Sequence, residues 1–170
     1  MLESPSDWGP VLSGARVRVE PIDPGLARAM LAGLPGPELE WAEGFPMAPV
    51  LDIARTIAAA EKPLGPFLAY VIVSLADGRA IGDAGFHGAP NAGGEVEIGY
   101  ALVPEARGAG LATEAVELLV GWALSQPGVR AVCARVDRGN LASERLLARV
   151  RFEPDGRDGE LARFVLRRAG

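Results

Sequence analysis

Residues 16–20 (Arg16-Val17-Arg18-Val19-Glu20) alternate polar and apolar, the period-two pattern of a half-buried strand. Residues 23–34 predict a short helix, with Asp23 as N-cap and Pro24 in its first turn. Residues 35–49 are dense in Pro and Gly and carry Trp41, Glu43 and Phe45, and a loop that exposes large aromatics suits a ligand site. A second helix is predicted over 51–60, ended by Lys62-Pro63. Apolar runs at 67–75 and 79–86 joined by Ala76-Asp77-Gly78 predict a hairpin, and 95–103 a further strand that stops at Pro104. The helix expected over 113–125 is apolar except for Glu114, Glu117, Gly121 and Ser125, at steps of three and four, so it is covered on most sides. A strand at 131–136, a helix at 141–150 capped by Asn140, and a closing hairpin from 152–153 and 161–166 complete the order. Alternating elements of this kind predict a mixed α/β or α+β sheet with helices on its faces.

Composition narrows the class. The 170 residues are about half apolar, the size of one ordinary domain, and neither a repeat nor a low-complexity linker divides them, so 1–170 is expected to be a single domain. The longest apolar runs fall far short of the roughly 20 residues of a membrane span. The first five residues, Met1 to Pro5, lack the basic and apolar regions of a secretory signal. A lone cysteine, Cys133, fits a reducing cytoplasm and is expected to be a buried, inert thiol; with His87 the only histidine, no metal site is expected. A net charge of -5 argues against nucleic acid as partner and mildly favours cationic ligands such as amines.

The densest chemical signal is Arg107-Gly108-Ala109-Gly110-Leu111-Ala112, a glycine-rich turn between a strand and a helix. The first N–H groups of a helix lack intrahelical partners and sit at the positive end of its dipole, so the turn is a candidate phosphate or pyrophosphate cradle that needs no lysine. The glycine spacing matches neither the dinucleotide fingerprint nor the Walker loop.

Together with Glu97-Ile98-Gly99-Tyr100, Val103-Pro104-Glu105-Ala106, Thr113-Glu114-Ala115, Asn140-Leu141-Ala142-Ser143 and Phe152, that turn resembles the GNAT superfamily of acyl-CoA-dependent N-acetyltransferases. More narrowly, it resembles the branch that includes the ribosomal-protein N-terminal acetyltransferases. The resemblance implies an α+β (mixed α/β) fold: a central, mostly antiparallel twisted sheet of six to seven strands with splayed middle strands, flanked by about four helices. It implies acetyl-CoA as the acyl donor, and an amine acceptor that is a small molecule or a protein N-terminus. A homodimer is common among such proteins. The backbone N–H groups of Gly108, Ala109, Gly110, Leu111, Ala112 and Thr113 would hold the CoA pyrophosphate beside Arg107. Leu102 and Val103 would pair with the pantetheine arm, a backbone N–H near Val103 would polarise the thioester carbonyl, and Asn140 would bond the arm.

The catalytic roles implied are Glu97 as general base and Ser143 as acid for the departing thiolate. Trp41, Glu43, Phe45 and Asp83 join Glu97 as acceptor-binding candidates, Asp83 and Glu43 being the alternative carboxylates. Two positions depart from the family pattern: Leu147 stands where many members carry an acid tyrosine, and Arg151 where a glycine usually precedes the final Phe. These departures motivate one alternative, a catalytically silent CoA-binding module. A transferase for a longer acyl-CoA is another.

Overall fold

The computed structural model describes residues 7–170; the reading of Met1 to Pro5 lies outside them. In chain order the elements are strands β1 (Leu12–Ser13) and β2 (Val17–Pro21), helix α1 (Pro24–Ala32), β3 (Glu40–Trp41), α2 (Ala48–Ala58), then β4 (Ala69–Ser74), β5 (Arg79–Phe86) and β6 (Glu95–Leu102). A 3-10 turn at Pro104–Ala106 leads to α3 (Leu111–Ser125), followed by β7 (Ala131–Asp137), α4 (Leu141–Arg149), β8 (Glu153–Asp158) and β9 (Leu161–Arg167). Side-chain caps account for the starts of α1 and α4: the Asp23 carboxylate accepts from the Leu26 N–H at 2.8 Å, and Asn140 Oδ1 from the Ser143 N–H at 3.2 Å. The exposed stripe of α3 is the one its polar residues mark, Glu117, Gly121 and Ser125.

The strands form one nine-stranded sheet in the order β1-β2-β4-β5-β6-β7-β9-β8, with β3 paired to β5 beside that path. Nine exceeds the six to seven expected. Two of the strands, β1 and β3, are only two residues long, too short for a period-two pattern to show. Pairing is antiparallel except for β3 with β5 and β6 with β7.

One parallel pair shapes the site. β6 and β7 are in register only over Glu95–Glu97 and Ala131–Cys133, although β6 continues to Leu102 and β7 to Asp137. Beyond Glu97 the two strands part. β6 stays with β5, so the splay predicted for the middle of the sheet opens between Gly99–Leu102 and the second half of β7.

Helices cover both faces. β4 is buried from Tyr70 to Ser74, as a central strand must be, and α3 stacks Trp122 on Phe67 and Phe86 with ring centres 5.1 and 5.9 Å apart. The opposite face of β5 and β6, carrying Asp83, Gly85, Gly99 and Ala101, lies under α2. At the start of β6 that same face carries charged residues instead: Arg163 bridges Glu95 and Asp155, and Arg135 bridges Glu97 and Asp158. Arg151, at the position where the family favours glycine, keeps a left-handed backbone at φ 73°.

Candidate active site

The turn before α3 forms as the sequence implies. Gly108 and Gly110 have φ of 84° and 80°, the left-handed conformation that glycine enters without cost. No side chain caps α3. The first helical bond runs from the Glu114 N–H to the Gly110 carbonyl, so among the described residues the N–H groups of residues 108–113 have no protein partner and gather at the positive end of the helix. Two residues that sequence reasoning passed over brace the turn. Arg16 Nη1 donates to the Ala109 carbonyl at 2.6 Å, and the Glu114 carboxylate accepts from the Ala15 N–H at 2.7 Å and from the Arg16 N–H. Glu114 shows in the sequence as one polar residue on a helix; its partners lie 98 and 99 positions away, beyond the reach of a local pattern.

A cleft of about 550 Å³ runs from this turn along Tyr100–Leu102 of β6 to the first turns of α4. Leu102, Arg107, Gly108, Gly110, Leu111, Ala112, Thr113, Asn140 and Ser143, all singled out from the sequence, line it. Arg145 and Arg149 of α4 line it as well, which gives the cleft three guanidinium groups counting Arg107. Ala109 is outside the lining, its carbonyl taken by Arg16.

Val103 does not fit its expected part. It is fully buried, and its N–H donates to the Ile81 carbonyl at 2.9 Å. The His87 N–H likewise reaches the Glu97 carbonyl, so the odd-numbered residues of β6 turn their backbone towards β5. By antiparallel alternation the backbone groups of Tyr100 and Leu102 face the opposite way, into the gap. The Leu102 carbonyl is occupied by Arg107 Nε at 3.0 Å. The N–H groups offered to the cleft are therefore those of Tyr100 and Leu102, not Val103. This donor set fits an extended amide-bearing arm, and the α3 turn fits a pyrophosphate.

A second cavity, of about 590 Å³, lies under α2 and is lined by Val50, Ile53, Leu68, Asp83, Phe86 and His87, among others. It shares Tyr100 and Ala101 with the first. Asp83 faces Ala101 across the β5–β6 pair, so one carboxylate stands at the junction. Burial pushes its pKa up to about 6.

Four acceptor candidates fall elsewhere. Glu97 lines neither cavity. Its carboxylate is held by Arg135 Nη1 at 2.8 Å and lies 3.4 Å from His87 Nδ1, because the β6–β7 register puts Glu97 on the charged face of the sheet. Trp41 and Phe45 pack edge to face, 5.6 Å apart, as part of the core; Phe45 is buried and Trp41 is tied into β3. Glu43 is exposed and also lines neither cavity. The segment over 35–49, read from its proline and glycine density as a loop, also holds β3 and the first residues of α2, and its aromatics point inward.

Tyr100 was legible only as part of a motif. Its hydroxyl is buried without a hydrogen bond of ordinary geometry. Burial raises its pKa, against a smaller lowering by Ser143, which is near enough to act on it. Leu147, at the position of the family's usual acid, is fully buried and contributes nothing to either cavity. Cys133 is buried beside Glu95, with its thiol pushed up to about 11, firstly by burial. A thiol so rarely ionised is a poor nucleophile. Among the described residues no group of three or more His, Cys, Asp or Glu is placed to hold a metal, and no helix is long and apolar enough to cross a membrane.

Residues 16–153 match the acetyltransferase (GNAT) domain, and the chain belongs to that family. It is 31% identical over 99 residues to the uncharacterized N-acetyltransferase YjdG of Bacillus subtilis, a match that covers 58% of this chain and 59% of that relative's length. The ribosomal-protein-S5-alanine acetyltransferase of Vibrio fischeri superposes with a TM-score of 0.68 at 17% identity, over 93% of this chain and 96% of that one. RimJ of Mycobacterium smegmatis, in complex with CoA-disulfide, superposes with a TM-score of 0.63 at 22% identity, over 92% and 84%. The two structures share the fold. The GNAT domain is an acetyl-CoA-binding fold.

Proposed function

We propose that this chain is an N-acetyltransferase that moves an acetyl group from acetyl-CoA directly to a primary amine, with the N-terminus of a protein as the favoured acceptor. The observation that carries the reading is the meeting of two unlike cavities at Tyr100 and Ala101: one cation-rich and lined by free N–H groups, the other apolar with a single carboxylate at the junction. The names of the Vibrio fischeri and Mycobacterium smegmatis proteins support the choice of acceptor.

Bound acetyl-CoA supplies the activated acyl group. The residues 108–113 hold the donor's pyrophosphate by their N–H groups, with Arg107 beside them, and Asn140 and the backbone of Leu102 orient the arm. The Leu102 N–H is placed to polarise the thioester carbonyl. Asp83 receives the amine's proton as the new C–N bond forms. As the C–S bond breaks, the Tyr100 hydroxyl gives its proton to the sulfur and is reprotonated through Ser143 or solvent.

Proton affinities favour the α-amine. Passing a proton from an ammonium of pKa ~8 to Asp83, at about 6, is uphill by only about 2.7 kcal/mol. From a lysine-like amine near 10.4 the same step costs about 6 kcal/mol.

In this scheme Tyr100→Phe lowers kcat by about 10- to 100-fold with the KM for acetyl-CoA little changed, because the lost hydroxyl acts on the leaving group alone. Ser143→Ala lowers it less. Steady-state kinetics by thiol release measures both. A Tyr100→Phe enzyme with unchanged kcat assigns the acid role to another group.

A further inference from the structure

We propose that the cavity under α2 selects a primary amine whose adjacent carbon carries an apolar group and no carboxylate, and that it rejects free amino acids. The proposal rests on the transferase reading above and specifies what its acceptor site recognises.

Three observations carry it. Among the described residues the cavity wall contains no lysine or arginine, whereas the donor cleft beside it contains three arginines. Its ionised groups are carboxylates: Asp83 at the junction and Asp52 on α2, the latter already paired with Arg55 at 2.6 Å. His87 is the one lining residue able to gain a positive charge, and its Nδ1 is turned to Glu97, 3.4 Å away, which Arg135 holds as well. A carboxylate one carbon from the reacting nitrogen would come to rest near Asp83, stripped of water and without a cation. Both like-charge repulsion and desolvation oppose that placement. A peptide carbonyl, or plain carbon, carries no such penalty.

The rest of the wall supplies the apolar half of the recognition. Val50 and Ile53 of α2 line the cavity together with Leu68. Its floor is the cross-strand pair Gly85 and Gly99, where the backbone itself forms the surface. A Cβ on Gly85 would stand 2.2 Å from the Leu68 carbonyl, and one on Gly99 would stand 3.0 Å from His87 Nε2. The floor stays flat at Gly85 because no side chain fits there, and at Gly99 any side chain would have to displace the His87 ring, which leaves the space for an apolar substituent of the substrate. The volume lies in the range of small-ligand sites, enough for one residue-sized group rather than a folded partner.

The chemistry is shared by a peptide N-terminus and by a simple alkylamine, and one experiment separates them. L-leucinamide, a leucine-initiated tetrapeptide amide, 3-methylbutylamine and L-leucine are each assayed with acetyl-CoA by thiol release, with rates compared per deprotonated amine. The proposal expects kcat/KM for leucine to lie at least about tenfold below that for leucinamide. The tetrapeptide outperforming 3-methylbutylamine assigns a peptide source, and the reverse assigns a small amine. Ile53→Arg, which adds a cation to the wall, is expected to narrow the gap between leucine and leucinamide about tenfold. Leucine turned over as well as leucinamide overturns the proposal and leaves the transferase reading standing. Turnover of none of the four, by an enzyme that binds acetyl-CoA in calorimetry, overturns the transferase reading itself.

Discussion

Asp83→Asn is expected to lower kcat by about 10²–10⁴-fold, the usual worth of a positioned base, while the dissociation constant for CoA stays where it was. The split follows from position: Asp83 lines the acceptor cavity only, and the donor cleft does not include it. The acid side of the wild-type rate profile carries the same signature. With its pKa raised to about 6 by burial, the carboxylate is an effective base above that pH and fails below it, so kcat/KM falls as pH drops through 6. Glu97→Gln is the paired control, and its kcat is expected to stay within about threefold of wild type. A large loss there with a small loss at Asp83 reverses the assignment.

The same substitution is expected to stabilise the fold. A carboxyl whose folded pKa lies near 6, against 3.8 as the ordinary value, binds its proton more tightly in the folded than in the unfolded chain. Its contribution to stability is present below pH 3.8 and is lost as pH rises to about 6. At neutral pH the buried charge therefore costs up to about 3 kcal/mol, and Asn removes it. Denaturant melts at pH 7 and pH 4 check this: the gain from Asp83→Asn shrinks at the lower pH. Lost activity with gained stability is the pattern of a functional group held against its solvation preference.

Gly110→Ala is expected to weaken CoA binding by about tenfold or more, with kcat at saturating donor nearly unchanged. Two costs add. At φ 80° an L side chain pays about 1–2 kcal/mol that glycine does not. Its Cβ would also stand 3.1 Å from Arg16 Nη2, which must shift, and Arg16 is the group that holds the Ala109 carbonyl. Both effects disorder the N–H groups of the turn before they touch the acceptor side. Calorimetric titration with CoA measures the loss, and an unchanged affinity contradicts the anion cradle.

Long, strongly patterned elements were legible in the sequence, and so were most of the residues that line the cleft at the α3 turn. A turn, its flanking strand and its helix are contiguous in the chain, so Arg107 to Thr113 could be read as one object. Asn140 and Ser143 joined it through motif order. The acceptor side was not legible in that way, because strand register assembles it. Glu97 and Asp83 are both acidic residues on strands, and alternation alone does not say which of them a helix covers and which a neighbouring arginine neutralises. The parallel pairing of Glu97 with Cys133 brings Arg135 to the first, and α2 brings a cavity to the second. Tyr100 was hidden for a related reason. The position where the family keeps its acid holds Leu147, whereas this tyrosine enters the cleft from the opposite strand. Trp41 and Phe45 show the limit of composition: a Pro- and Gly-rich segment marks irregular backbone and does not set the direction of its side chains.

Intact-mass spectrometry of a leucine-initiated peptide amide incubated with acetyl-CoA and the protein tests direct acetyl transfer most directly. One acetyl group on the peptide N-terminus, with the protein itself unmodified at Cys133 and elsewhere, is the predicted result. An acetyl adduct retained on the protein, or a peptide left unchanged while acetyl-CoA binds, contradicts it.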